Sequence, residues 1–493
     1  MESTKNRIES PRRVRTRFAP SPTGYMHVGG VRTAIFAWAF AKKHKGDFIL
    51  RIEDTDKSRE VKGSIEHIIK SLRWLNIDWQ EGPDVDGGTG SYKQSERLEI
   101  YREWAQKLID KGLAYPDPYT QEELTTFRDI AKAEKRPFLF RDHRPDTFED
   151  WDGSKPLRFK VPEIKRYHWH DAVRGDLEAG EETLDDIIII KADGYPTYNF
   201  AHIIDDYLMG VTHVMRGEEF ISSTPKFLSL YDALDIPYPI FVTMPPIMAA
   251  DGKKKLGKRD GAKDILEYKA EGYQPEAMMN FLALIGWNPG TEQELFSEKD
   301  LIEAFTLEKI QKSGGVFNEE KLQWMNKEYL QKLDTAAFGA LVLEALAPET
   351  KELSNYSEES ALKLAPTIQE RVHTTKEITE TSKTGEYDFA FSTPVVSPDL
   401  VKWKKDESPK DALPRLQKAH ELLEIADYTS PETIKQALWE YAEEVGRGEL
   451  LWPLRVALTG MERSPDPFTS AYIIGKEETL LRIQNTINTL SDL

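Results

Sequence analysis

The sequence predicts an α/β chain with a doubly wound parallel sheet, interrupted by an α+β insertion and followed by an all-helical C-terminal region. Three observations carry this expectation. Short apolar strands alternate with helical periodicity from Val14 to about Leu113, and the alternation returns from Thr197 to Val242. Between them, from Tyr115 to Lys191, prolines at 116, 118, 137, 145, 156 and 162 break the chain into short runs such as Leu157–Val161. From about Glu328 to Leu493, long amphipathic stretches replace strands.

In chain order, Val14–Phe18 and Phe48–Ile52 read as short buried strands, and Val31–Ala41, Ile65–Leu75 and Ser95–Lys111 as helices. Strands joined by helical crossovers argue for a parallel sheet. The second half repeats the pattern: helix Thr197–Leu208, strand Val211–Met215, helix Ser223–Leu234, strand Ile240–Val242. Beyond Gly261 the expected helices are Ala262–Glu271, Pro275–Ile285, Glu298–Phe305 and Asn318–Met325, with Gly314-Gly315 as a turn. Further helices are expected at Ala336–Leu346, Asp411–Ile425 and Pro431–Val445. The expected boundaries are 1–114 and 192–260 for the halves of the nucleotide fold, 115–191 for the insertion, then 261–327 and 328–493 for two helical regions.

At 493 residues the chain holds roughly three to four domains. It contains no cysteine, which excludes disulfides, thiolate zinc sites and thiol nucleophiles. Met1–Arg17 is charged without an apolar core, and the longest apolar runs fall well short of the roughly 20 residues of a membrane span. A soluble, cytoplasmic chain is the expectation. The net charge of −18 disfavours general nucleic-acid binding, so any RNA contact would need local basic surfaces. Candidates are Arg12–Arg17, Lys253–Arg259 and Lys402–Lys405; a solvated charged face is the commoner meaning of such runs.

Two segments carry chemistry. Pro20-Ser21-Pro22-Thr23-Gly24-Tyr25-Met26-His27-Val28-Gly29-Gly30 joins the first strand to the first helix. It puts His27 and two glycines at a helix N-terminus, where unpaired N–H groups and the dipole favour phosphate. Lys255-Leu256-Gly257-Lys258-Arg259 is a small basic loop able to close over the same phosphates. Singly, each has a plainer meaning, a satisfied histidine or a solvated turn; together they reinforce one another. Arg17, Ser21 and Glu53 fall at the C-terminal ends of the first two strands, the edge where open parallel sheets bind ligands.

These two segments resemble the HIGH and KMSKS signatures of class I aminoacyl-tRNA synthetases. Arg51-Ile52-Glu53-Asp54-Thr55-Asp56, Tyr195–His202 and Val214–Glu219 resemble the glutamyl branch of that family. The resemblance implies a Rossmann-like catalytic domain that activates L-glutamate with ATP and Mg2+ and transfers it to tRNA(Glu). It assigns His27 and Lys258 to catalysis, and His27, Gly29, Gly30, Lys255, Lys258 and Arg259 to ATP. It assigns Arg17, Ser21, Glu53, Tyr198, His202 and Arg216 to glutamate, with Glu53 on the ammonium and the two arginines on the carboxylates. The family's second motif histidine is Gly30 here, and the loop serine is Gly257. His202 stands where related chains often carry asparagine.

The same resemblance implies that 115–191 meets the tRNA acceptor end, 261–327 the stem and 328–493 the anticodon, with Arg371 near the last anticodon base. It implies a monomer. Trp403, among lysines, could stack on an unpaired base, although core burial is the commoner fate. His143, His168 and His170 lie in the insertion, where some relatives bind zinc through cysteines; without cysteine, no structural zinc is expected. The alternatives are a glutamyl-queuosine tRNA synthetase, disfavoured by the long helical region, and a glutaminyl enzyme, disfavoured by Ala19–Gly24. A catalytically dead RNA-binding scaffold would leave His27, Glu53, Lys258 and both arginines unexplained.

Overall fold

The computed structural model describes residues 13–257 and 263–493. Their contacts divide the chain into two compact units, Met1–Tyr268 with Pro275–Lys321 and Lys269–Gln274 with Leu322–Leu493.

The first unit opens with β1 (Arg15–Phe18), α1 (Val28–Lys43), β2 (Asp47–Leu50), α2 (Ser64–Trp74) and α3 (Leu98–Asp110). Next come β3 (Ala114–Pro116), α4 (Gln121–Ala133), β4 (Leu157–Phe159), β5 (Tyr167–Asp171), β6 (Gly175–Ala179) and β7 (Ile188–Ile190). The nucleotide fold resumes with α5 (Tyr198–Leu208), β8 (His213–Gly217), α6 (Thr224–Leu234) and β9 (Ile240–Met244). The main sheet has the order β2-β1-β8-β9-β5-β6. All its pairings are parallel except β5 with β6.

Both strands of β2 and β1 are almost wholly buried, as expected where helices cover a parallel sheet. α1 is apolar nearly all round, from Val31 to Ala41, which fits a helix buried against that sheet.

Two features depart from the sequence expectation. The segment 115–191 does not stand apart: β3, β4 and β7 form their own antiparallel sheet, while the hairpin β5–β6 extends the main one. Alternation in Tyr167–Asp171, with buried Tyr167, Trp169 and Asp171 between exposed histidines, is the pattern of such a half-covered strand. Gly314-Gly315 is not a plain turn. Gly315–Val316 forms a short strand, β11, parallel to β10 (Ile247–Met248). A Cβ at Gly315 would lie 2.8 Å from Ile285 Cγ2, and one at Gly314 2.7 Å from Met248 Cγ, so the pair must be bare for the backbones to approach.

The second unit is helical, with no strand among its described residues. One apolar cluster gathers Leu330, Phe338, Leu364 and Phe389, and a second gathers Leu416, Leu438, Leu454 and Ile483. No helix among the described residues is long and apolar enough to cross a membrane.

Candidate active site

The chain leaves β1 through α1 to β2 on one side, and leaves β8 through α6 to β9 on the other. β1 and β8 are neighbours, so the sheet's switch point lies between them, where an open parallel sheet forms a crevice at its carboxyl edge. Arg17 and Arg216 are the penultimate residues of those two strands, and Glu53 follows β2.

Above this edge a cavity of about 200 Å³ is lined by His27, Gly29, Gly30, Arg32, Glu219 and Lys255. His27 is the N-cap of α1, and its Nδ1 accepts the Gly29 N–H at 3.1 Å. In the neutral ring that leaves the proton on Nε2. Gly29 is constrained by this cap, since a Cβ there would approach the His27 ring to 3.1 Å; Gly30 would meet only ordinary contact with Phe18 at 3.7 Å. Lys255 is pinned by a backbone bridge to Met248, and its Nζ lies 3.3 Å from Glu219 Oε2. Both groups are more than half exposed, so the pair is worth at most about 1 kcal/mol and yields readily to a stronger anion. Lys258 and Arg259 lie outside the described residues.

Sequence reasoning missed Arg32. It is buried beneath the cavity, donating to the carbonyls of Ile285 at 3.1 Å and of Pro245. Burial lowers its pKa to about 10, with Glu219 opposing, so it stays cationic at neutral pH.

Below the crevice lies a buried polar cluster. Arg17 donates through Nε to Asp206 Oδ1 at 3.1 Å and through Nη1 to the Met215 carbonyl at 3.2 Å. Arg51 donates to the same Asp206 oxygen at 2.7 Å and to Glu53 Oε1 at 3.0 Å. Burial raises the Glu53 pKa against the pull of Arg51 and Arg17. Burial also pushes Asp206 upward, but Arg17 and Arg51 outweigh it and hold the carboxyl at about 2. Asp205 anchors the neighbouring side, accepting from Arg97 Nε at 2.8 Å, Tyr101 Oη at 2.6 Å and Gln94 Nε2 at 2.9 Å.

Arg216 differs from these. It donates to Thr224 Oγ1 at 2.8 Å and lies against the rings of Phe220, Phe227 and Phe241. It is only 6% exposed, yet its Nη1 has no hydrogen-bond partner, and burial lowers its pKa. Burial pushes the Tyr198 hydroxyl up, with Glu53 and Asp206 adding to the rise and Arg216 and Arg17 opposing it. His202 stacks on Tyr198 at 4.6 Å, its Nδ1 bonded to the Tyr198 carbonyl at 2.7 Å. A carbonyl only accepts, so Nδ1 carries the hydrogen and Nε2 of the neutral ring is an acceptor. Ser21 sits apart on an exposed turn, its carbonyl accepting from Thr23 N–H at 2.8 Å.

The remaining candidates resolve individually. Arg371 is exposed in the helical unit and pairs with Glu386 at 3.2 Å. Trp403 is half-buried against Gly448, with the Trp452 ring tilted beside it at 5.9 Å. His143 stacks on Phe127, while His168 and His170 pair with Glu178 and Asp176 across the β5–β6 hairpin. Among the described residues no group of three or more histidines, cysteines or carboxylates could hold a metal ion. The missed Arg51, Asp205 and Asp206 did leave a trace: a base inside an apolar strand and two acids inside the apolar helix Phe200–Leu208.

A parallel-sheet crevice whose cavity is lined by a helix-capping histidine, a helix N-terminus and the cations Arg32 and Lys255 is the form of a nucleotide-binding catalytic domain. The family model described as tRNA synthetases class I (E and Q), catalytic domain, matches residues 13–324, and an anticodon binding domain matches 340–487. The chain belongs to the class I tRNA synthetases of this glutamate and glutamine group. Within it, the chain is 42% identical to a glutamate–tRNA ligase of Clostridium botulinum, over 98% of this chain and 99% of that one. It is 40% identical to that of Clostridium tetani, with 97% and 98% covered. A glutamate–tRNA ligase from Elizabethkingia meningosepticum, solved in complex with its amino acid, superposes with a TM-score of 0.83 at 35% identity, covering 97% of this chain and all of that one.

Proposed function

We infer that this chain activates L-glutamate with ATP and transfers the glutamyl group to the 3′-terminal ribose of tRNA(Glu) for protein synthesis. The observation that carries the substrate is the charge of the buried cluster. Arg17, Arg51, Arg97 and Arg216 face Glu53, Asp205 and Asp206, which leaves one cation in excess. Arg216 is that cation, buried and with Nη1 unpartnered among the described residues. Free glutamate, with two carboxylates and one ammonium, supplies the missing negative charge. Glutamine is neutral overall and leaves a buried guanidinium uncompensated.

In this reading Arg17 and Arg216 take the two carboxylates, Glu53 takes the ammonium and Tyr198 offers its hydroxyl. The Nε2 acceptor of His202 suits a donor such as the ammonium better than a carboxylate. Ser21, at the exposed rim, contributes from the entrance. The α-carboxylate attacks the α-phosphate of ATP in line; the phosphoanhydride bond breaks, pyrophosphate leaves, and a mixed anhydride remains. The ribose hydroxyl of tRNA then attacks that anhydride and AMP leaves. His27, the Gly30 amide, and Lys255, Lys258 and Arg259 oppose the charge that builds on the phosphates, while the Gly29 amide holds the His27 ring in place. Magnesium arrives on the nucleotide.

ATP–pyrophosphate exchange with glutamate, run with and without tRNA, tests this. Exchange should require tRNA(Glu), as the glutamyl branch implies, and should fail with glutamine. Arg216→Gln should lower kcat/KM for glutamate by roughly 10²-fold or more, since it removes a desolvated ion-pair partner. An undiminished value removes Arg216 from the substrate site.

A further inference from the structure

We propose that Asp206 is a positioning residue: it ties the carboxylate-binding Arg17 to the ammonium-binding Glu53 through Arg51 and so sets the distance between the two ends of the amino-acid pocket. The inference rests on the glutamate reading for what each end holds.

The chain of contacts is continuous. One oxygen, Asp206 Oδ1, accepts from Arg17 Nε at 3.1 Å and from Arg51 Nη1 at 2.7 Å, and Arg51 Nη2 continues to Glu53 Oε1 at 3.0 Å. The four residues come from three places in the sheet layer: β1, the segment following β2, and α5. None is more than 5% exposed. Arg17 is oriented twice, by Asp206 at Nε and by the Met215 carbonyl at Nη1, so Nη2 is the nitrogen it can turn to a carboxylate. Arg51 is fully enclosed and cannot itself reach a ligand, so its charge acts only through its neighbours.

Two points separate positioning from mere stabilisation. Buried ion pairs are weak stabilisers, because desolvation consumes most of the Coulomb attraction and apolar side chains of similar volume often do as well. Asp206 Oδ2 is also buried without a hydrogen-bond partner, an arrangement that stability alone would not retain. What the carboxylate uniquely does is hold two guanidinium groups at one atom.

The test uses full-length enzyme in ATP–pyrophosphate exchange with tRNA(Glu) present. Asp206→Asn keeps an acceptor oxygen but loses the charge. It should raise KM for glutamate about tenfold or more and leave KM for ATP within about twofold, with some loss of melting temperature because two buried guanidiniums lose a charged partner. Arg51→Lys cannot bridge Asp206 and Glu53 together and should act in the same direction. The double variant should be no worse than the worse single variant, since both cut one chain. The proposal is overturned by an unchanged glutamate KM in Asp206→Asn, by glutamate and ATP KM rising together, or by additive losses in the double variant. Should Asp206→Asn fail to fold, Arg51→Lys decides by its glutamate KM alone. A wild-type enzyme that activates a different amino acid overturns the substrate reading instead, and the same variants are then read on that amino acid's KM.

Discussion

His202 is enclosed by its own helix, by the Tyr198 ring stacked on it and by Phe227 edge-on at 4.7 Å. Burial drives its pKa down to about 3, with Asp206 opposing and Arg216 and Arg17 adding to the fall. His213 is lowered to about 4 by burial and by His44. A histidine whose folded pKa lies below its unfolded value stabilises fully above about pH 6.5. That stability is lost as pH falls toward the folded pKa, because the unfolded chain takes up the proton first. For His202, the loss between pH 7 and pH 5 is about 2 kcal/mol. Urea unfolding at both pH values should show a drop in wild type, to which His213 also contributes, and a drop smaller by about 2 kcal/mol in His202→Asn. An equal drop in the two proteins would mean that His202 titrates normally in the fold. At this scale the sequence is informative about residue type and poor about state. It singles out His202, but neither its tautomer nor its neutrality follows from a linear string, since both are set by a carbonyl four residues back and by aromatic rings from other elements.

The last helix of the chain, Lys476–Ser491, illustrates what single elements contribute. Its Arg482 is 1% exposed and donates to the carbonyls of Phe389 at 2.7 Å, Leu458 at 2.6 Å and Ser392 at 2.9 Å, with Nε on Glu478 at 2.7 Å. Leu458 lies in the final turn of helix Arg447–Thr459, where carbonyls lack intrahelical partners and a cation is favoured. Phe389 and Leu458 belong to different apolar clusters, so one guanidinium joins the two halves of this unit. Arg482→Met should fill the space but strand several carbonyls, at a cost of about 3 kcal/mol. A urea midpoint for the helical unit within error of wild type would refute that role. Elements with strong periodicity, such as α5 and Pro431–Val445, were legible because their apolar residues recur at helical spacing, and α1 because its apolar run is too long for a strand. The Gly315–Val316 strand was not, because its partner β10 lies far away in sequence, and although the β5–β6 hairpin is local, its place in the main sheet is set by Asp171 pairing with the distant Phe241. The site divides the same way: Arg17, Glu53, Tyr198 and Arg216 sit in recognisable strings, whereas Asp206 matters only through what folding brings to it.

Across the whole molecule, 84 acidic residues outnumber 66 basic ones, so an RNA partner must be held locally and against a repulsive background. The helical unit offers such a place. A cavity of about 660 Å³ is lined by Arg371, Arg455 and Arg463, with Glu386 and Glu462 among them. Arg371 is paired with Glu386 at 3.2 Å, an exposed contact weak enough for a base or phosphate to displace. If Arg371 reads the last anticodon base, its effect must be specific. Arg371→Gln should then lower kcat/KM for charging tRNA(Glu) about tenfold, narrow the preference over tRNA(Gln), and leave the salt slope nearly unchanged. If Arg455 instead meets the tRNA backbone, Arg455→Gln should weaken both tRNAs alike and flatten the slope of log kcat/KM against log salt by about one unit. Charging of both purified tRNAs across a salt series separates these cases. Equal weakening of both tRNAs by Arg371→Gln, with a flattened slope, would reduce Arg371 to a phosphate contact and move base reading elsewhere in the helical unit.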